Sequence, residues 1–436
     1  MNVDLNKNQE NNEFGHVIGP QYVRPLRVSS RFEGKSLDEY RIDGIESYKS
    51  SWSFSRAEPL CQRQSWYFGG PASYGADHPE ADELTKYISR GKSLNSLPLL
   101  VGTLVHNIIA HSLFVWRDYT RAVASPDYKD PVYSAIKESV TNNNLQFEDV
   151  IEEAIKRFRT YREVSLSHGA TFRDSAQHFR LIEHQFENRF RQMHFDEKFL
   201  EAEEKIRNSL TIFYRDIFIP QIIKGSVSPE YWADVELDED YEVQSVPTFL
   251  QEVDGIPVTI YAGIDFSYFH STENIPIEGD RRLEIYDWKT GAMRLDRNER
   301  RLSPFLISKH ALQGGIYSHY MMQKHKDLTP ADIEAKFVYT SPDASLSLEE
   351  RTTVIAFDSA SLNLVSLQIE DNVRELRKAF TIHDGEITFN QEDFLTHWDD
   401  ARMSKKGMAT ICSNCAYAGA CQSAPEELQN KAFINE

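Results

Sequence analysis

Leu283-Glu284-Ile285-Tyr286-Asp287-Trp288-Lys289-Thr290-Gly291 is the stretch whose reading decides the fold. Residues 283–290 are rich in apolar and aromatic groups over a short span, the pattern of a β-strand. Residues two apart on a strand share a face, so Asp287 and Lys289 point the same way. A carboxylate there can hold a divalent metal, and an ammonium beside it can orient a water or balance phosphate charge. Asp265, in Gly263-Ile264-Asp265, closes another apolar run 22 residues earlier. Two strand-end carboxylates and one lysine make a metal-assisted hydrolytic centre. An Asp-x-Lys triplet alone recurs by chance, so its context has to carry the reading.

The 436 residues are 40% hydrophobic and 12% aromatic, enough for a substantial core. With 20 Gly and 17 Pro the chain is neither collagen-like nor of low complexity. Net charge is −19, which argues against a simple basic coat for nucleic acid. Two local windows run the other way: residues 156–191 and 281–310 each carry a net +4. Met1 to Pro20 lack the apolar run of a secretory signal, so a cytoplasmic location is expected. Leu97–Trp116 has no formal charge and the length of a membrane span. It also carries Pro98, His106, Asn107 and His111, and it is expected to be a buried core helix, not a membrane anchor.

Outward from the opening stretch, the elements order themselves. Apolar groups at helical spacing predict helices over 146–164, 171–193 and 197–219, the last stopping at Pro220. Tyr241–Val253 and Ile256–Phe269 read as strands flanking Asp254-Gly255, a hairpin dipeptide. Phe305–Gln323 and Leu362–Phe380 read as helices, and Lys336–Thr340 and Thr353–Phe357 as strands. The result is an α/β core in the order α-β-β-β-α-β. The expected divisions are a flexible N-terminal arm (1–45), the first part of the core (46–120), a helical insertion (121–235), the rest of the core (236–423) and a tail (424–436).

The ordered set is what gives these fragments value. Gly102-x-x-x-His106 falls in the long apolar helix. Gly263-x-Asp265 and Asp287-x-Lys289-Thr290-Gly291 end two strands. Gln313-x-x-x-Tyr317 lies on one face of a helix. This order resembles the PD-(D/E)XK nuclease superfamily, and more narrowly its RecB-type nuclease domain, over roughly 51–423. The resemblance implies a restriction-endonuclease-like core. It implies Mg²⁺ or Mn²⁺ held by His106, Asp265, Asp287 and the carbonyl of Trp288. Lys289 would act on the attacking water or the charged phosphate, with Gln313 and Tyr317 bracing it or touching DNA. The products would be a 5′-phosphate and a 3′-hydroxyl.

The four cysteines are Cys61, Cys412, Cys415 and Cys421. A four-thiolate site suits zinc or an iron–sulfur cluster, and spacing does not separate the two. The set is similar to that of CRISPR spacer-acquisition exonucleases and AddB subunits, which bind a 4Fe-4S cluster through one cysteine before the nuclease core and three after it. That similarity implies a 4Fe-4S clasp here, although Gln62 stands where those proteins usually have proline.

The reading is therefore a metal-dependent DNA exonuclease or end-processing nuclease, in repair or in defence against foreign DNA. Two alternatives stand beside it. One is a non-catalytic DNA-binding subunit of a larger helicase or defence complex, against which the intact Asp265, Asp287 and Lys289 weigh. The other is a zinc-clasped helical scaffold with an accidental Asp-Trp-Lys match. No G-x-x-x-x-G-K-[ST] phosphate loop is present, so any unwinding would come from a partner protein.

Overall fold

Asp254 and Gly255 both take positive φ, 55° and 75°. That is the backbone a two-residue hairpin turn needs, and it joins Thr248–Val253 to Ile256–Tyr261 in antiparallel register. The computed structural model describes residues 36–39, 42, 46, 49–54, 76, 78–92, 94–122, 131–142, 146–167, 180–185, 195–224, 232–235, 248–270, 282–291, 293, 302–340, 346–378, 380–383, 386–389, 412, 415 and 417–421.

The first half holds β1 (Ser51–Ser53), α1 (Glu83–Lys92), β2 (Leu94–Asn95), α2 (Leu97–Thr120), α3 (Pro131–Thr141) and α4 (Glu148–Ser167). Next come β3 (Arg180–Leu181), α5 (Ile182–Gln185), α6 (Phe195–Ile212) and a π-helix, Phe213–Ile223. The second half holds β4 (Trp232–Val235), β5 (Thr248–Val253), β6 (Ile256–Tyr261), β7 (Phe266–His270), β8 (Arg282–Lys289) and α7 (Pro304–Lys324). It ends with β9 (Ile333–Tyr339), β10 (Thr352–Ala356), α8 (Ser359–Lys378), β11 (Phe380–His383) and β12 (Glu386–Phe389).

A five-stranded sheet runs β10-β9-β8-β7-β4, and a three-stranded sheet runs β1-β6-β5. Within the larger sheet β8 and β9 are parallel, while the other pairs are antiparallel. Parallel neighbours need a crossover, and α7 supplies it. Ser303 caps α7 by accepting from the Leu306 N–H, and Pro304 opens its first turn.

Each face of the sheet carries its own core. On one side Phe266, Tyr268, Tyr286, Trp288 and Val338 pack against α2, α3, α4, α6 and the π-helix. On the other, Leu283, Ile285 and Ile333 meet Leu312 and Ile316 of α7, Val365 and Ile369 of α8, and Trp52, Val258 and Ile260 of the smaller sheet. α2 is long and apolar enough to cross a membrane, and here Leu104, Val105, Ile108 and Ile109 lie inside the first core.

Three expectations are corrected. The run 256–269 is two strands in two sheets, because the chain leaves β6 at Tyr261 and enters β7 only at Phe266. The next rung of the β7–β8 ladder would use the Trp288 N–H, but the Asp265 carboxylate takes it. Asp265 therefore precedes a strand and does not end one. Of the predicted helix 171–193, Arg180–Leu181 is instead a strand paired in parallel with β2. There the Leu181 N–H donates to Ser165 Oγ, outside any helical ladder. Pro220 does not stop its helix; it sits inside the π-helix, which runs on to Ile223 although proline brings no N–H to its hydrogen-bond ladder.

Close packing fixes α7. A Cβ at Gly314 would lie 2.9 Å from Ala335 Cβ, and one at Gly315 would lie 2.6 Å from the Val365 side chain. Gly315→Val is expected to cost about 1–3 kcal/mol through overpacking, more than offsetting the gain in helix propensity. Urea unfolding measures it, and an unchanged midpoint would show that α7 and α8 part freely.

Candidate active site

The site forms at the C-terminal end of β8, where alternation separates its residues. Trp288 points into the helical core, 2% exposed, while Asp287 faces α7 and is buried. The ammonium of Lys289 sits 2.6 Å from Asp287 Oδ1. The same ammonium donates to Gln313 Oε1 at 2.9 Å. Gln313 Nε2 returns a hydrogen bond to Asp287 Oδ2 at 2.8 Å. One turn on, the Tyr317 hydroxyl donates to that same oxygen at 2.7 Å. Asp287, Lys289, Gln313 and Tyr317 thus form one closed network between β8 and α7.

Asp265 and His106 form its neighbour. Asp265 Oδ2 accepts from the Trp288 N–H at 2.7 Å, and Oδ1 lies 3.2 Å from His106 Nδ1. His106 Nε2 meets the Trp288 carbonyl at 2.7 Å. The Trp288 backbone is therefore held at both its N–H and its C=O, in the two peptide units that flank the residue. Gly102, one turn before His106, lets α2 approach the strand end: a Cβ there would stand 3.3 Å from Thr290 Oγ1.

Charge follows from this geometry. Both ring nitrogens of His106 face acceptors, which calls for an imidazolium. Burial opposes that charge, but the Asp265 carboxylate overrides it and raises His106 to about 9. Burial also opposes the charge on Asp265, and His106 outweighs it, holding the carboxyl below its ordinary value. Asp287 goes the other way: burial raises it, Asp265 adds to the rise, and Lys289 offsets only part.

Three residues at the site escaped the sequence reading. Phe337 and Tyr339 of β9 are the register partners of Asp287 and Lys289. His310 of α7 stacks on Phe337 with centroids 4.1 Å apart, and its Nε2 meets the Tyr339 hydroxyl at 2.7 Å. Extending the Gln313-x-x-x-Tyr317 face back by one turn would have found His310. Nothing local marks Phe337 or Tyr339, because the β8–β9 register is a tertiary fact.

Cys412, Cys415 and Cys421 are half-buried, the last directly after the 3-10 turn Ala418–Ala420 in the C-terminal loop, and Cys61 falls outside the described residues. No disulfide joins them among the described residues. The Cys415 and Cys421 N–H groups donate to the Cys412 and Ala418 carbonyls. The loop docks on the N-terminal part of the chain. Tyr417 and Ala420 pack with Ile88, Leu94 and Ile182, and Gly91 and Gly419 leave room for the rings of Tyr417 and Tyr87.

Two carboxylates and a carbonyl oxygen are the donor types a hard divalent cation takes, and an imidazole beside them widens the choice towards borderline transition metals. Asp287 Oδ1 is buried and makes no hydrogen bond beside its ion pair to Lys289, so an ion taking that oxygen would share it with the lysine or displace it. As placed, no three His, Cys, Asp or Glu among the described residues are gathered tightly enough to hold a metal. The donor chemistry fits, while the side chains now engage one another.

Residues 83–422, more than three quarters of the chain, match the family model of the PD-(D/E)XK nuclease superfamily. A search of curated proteins gave no match.

His310 gives the site a pH signature. Burial first, then Lys289 and Lys309, push it down to about 4 from its ordinary 6.5. As pH falls from 6.5 towards 4 the unfolded chain takes up a proton that the folded chain refuses, so stability drops across that window and no further below it. His310→Gln is expected to flatten this loss by ~1–3 kcal/mol between pH 7 and pH 4. Urea unfolding at several pH values reads it, and parallel curves for the two proteins would contradict the assignment.

Proposed function

The chain belongs to the PD-(D/E)XK nuclease superfamily, and we propose that it is a divalent-metal-dependent DNA nuclease acting as an exonuclease or end-processing enzyme. The observation that carries this reading is the closed network of Asp287, Lys289, Gln313 and Tyr317 beside the Asp265–His106 pair.

His106, Asp265, Asp287 and the Trp288 carbonyl would hold Mg²⁺ or Mn²⁺. When bound, the ion supplies polarisation of the scissile phosphate and a more acidic water. Lys289 stands beside Asp287 with its head group already directed, so it neutralises charge that builds on the phosphate oxygens and orients the attacking water. Gln313 fixes that ammonium by accepting from it while donating to Asp287. Tyr317 holds the shared carboxylate oxygen, which keeps Asp287 from rotating away. Asp265 and His106 lock the Trp288 backbone between the two catalytic side chains.

Cys412, Cys415 and Cys421, with Cys61, are proposed to bind a 4Fe-4S cluster, with zinc as the other occupant. The docking of their loop on α1 and β2 supports a structural clasp between the two ends of the domain. DNA is the proposed substrate, and a helicase or other repair or defence protein the proposed partner.

Anaerobically purified wild type is expected to cleave end-labelled linear DNA in Mn²⁺, to carry about four iron atoms per chain, and to lose ~10²–10³-fold of its rate as Lys289→Ala. Equal cleavage by both proteins would remove Lys289 from the chemistry. No cleavage by either, with folded iron-loaded protein, would favour a non-catalytic subunit.

Metal binding should also release a proton. An imidazole that ligates must be neutral, and His106 is protonated up to about 9. Mn²⁺ affinity is therefore expected to rise with pH until about 9, and binding heats at pH 7.5 to depend on the buffer's ionisation enthalpy. Buffer-independent heats in wild type would take His106 out of the ligand set.

A further inference from the structure

We propose that His310, Phe337 and Tyr339 form a positioning device for Lys289, acting through the face of the Phe337 ring; this rests on the reading of Lys289 given above. A lysine carries four rotatable bonds and a compact charge, so its ammonium is placed only as well as its surroundings confine it. Two directions are taken by Asp287 Oδ1 at 2.6 Å and Gln313 Oε1 at 2.9 Å. The third confinement is the Phe337 ring, whose centroid lies 5.3 Å from Nζ, a cation–π distance.

Phe337 can serve this way only if its ring is held. It is fully buried, and the His310 imidazole lies nearly parallel to it, 12° apart at 4.1 Å. His310 is held in turn by the Tyr339 hydroxyl at 2.7 Å. Tyr339 sits beside Lys289 in the β8–β9 register, so the chain of contacts returns to the residue it serves.

The choice of histidine supports a function. His310 is 4% exposed, and its Nδ1 makes no hydrogen bond. A phenylalanine would stack on Phe337 without burying that polar atom, but it could not hold Tyr339. A lysine or arginine would place a second cation beside Lys289. A neutral imidazole satisfies both demands: it stacks, it bonds to Tyr339, and it adds no charge.

The test is a double-mutant cycle. His310→Gln and Tyr339→Phe are each expected to lower kcat about tenfold with KM within about twofold. In the Lys289→Ala background the same changes should cost nothing further, because their effect runs through the ammonium. Full additivity there would reduce the stack to ordinary packing and overturn the proposal. A second readout does not need activity. With lysines ¹³C,¹⁵N-labelled and unmodified, the Lys289 side-chain CH₂ signal next to the ammonium, assigned by its loss in Lys289→Arg, should be shifted by the Phe337 ring current in wild type and should return towards the exposed-lysine position in His310→Gln. An unshifted wild-type signal would overturn the positioning even if the enzyme cleaves DNA. A shifted one in an inactive protein would uphold the positioning while the nuclease reading fails.

Discussion

Parallel pairing of β8 with β9 is the constraint from which the site follows. Two parallel strands cannot be joined by a tight turn, so the chain must climb back along one face. That return is α7, and it has to lie against the strands it connects. Gly314 and Gly315 let it lie close, against Ala335 and Val365. Gln313 and Tyr317 then reach Asp287 without strain, and the parallel register sets Phe337 and Tyr339 beside Asp287 and Lys289. Residues fifty positions apart in the chain are thus neighbours because of one hydrogen-bond ladder.

Electrostatics divides the site in two. Asp265 and Asp287 are both buried enough that neither could bear its charge alone. Asp265 is matched by a protonated His106, and Asp287 by Lys289. The Trp288 backbone, held by Asp265 at its N–H and by His106 at its carbonyl, lies between these pairs and keeps them at a set spacing. Each carboxylate is thus engaged by a cation of the protein itself, so a metal ion taking these oxygens would have to displace or share those partners.

Much of this was readable from residue order. Asp287 and Lys289 share a face because strands have period two, and Gln313 and Tyr317 share one because helices have period 3.6. Those local rules survive tertiary folding. Asp265 was legible as a residue but not in its setting, since a largely apolar stretch does not by itself show that the chain changes sheets at 262–265. Arg180–Leu181 looked helical because a two-residue strand lacks any period of its own. His310, Phe337 and Tyr339 were missed for the opposite reason: their meaning comes from a register between strands more than forty residues apart. Of the four cysteines the described residues hold Cys412, Cys415 and Cys421, while Cys61 lies outside them.

The crossover also has a consequence in time. During synthesis the chain emerges in the order His106, Asp265, Asp287, Lys289, Gln313, Tyr317, Phe337, Tyr339. Until Ile333–Tyr339 leaves the ribosome, β8 has no parallel neighbour, and α7 has no strand to return to. A nascent chain holding every proposed ligand to the ion therefore still lacks the frame that aligns them. The arrangement of these side chains therefore comes with completion of the β8–β9 pair and not with the synthesis of the residues themselves.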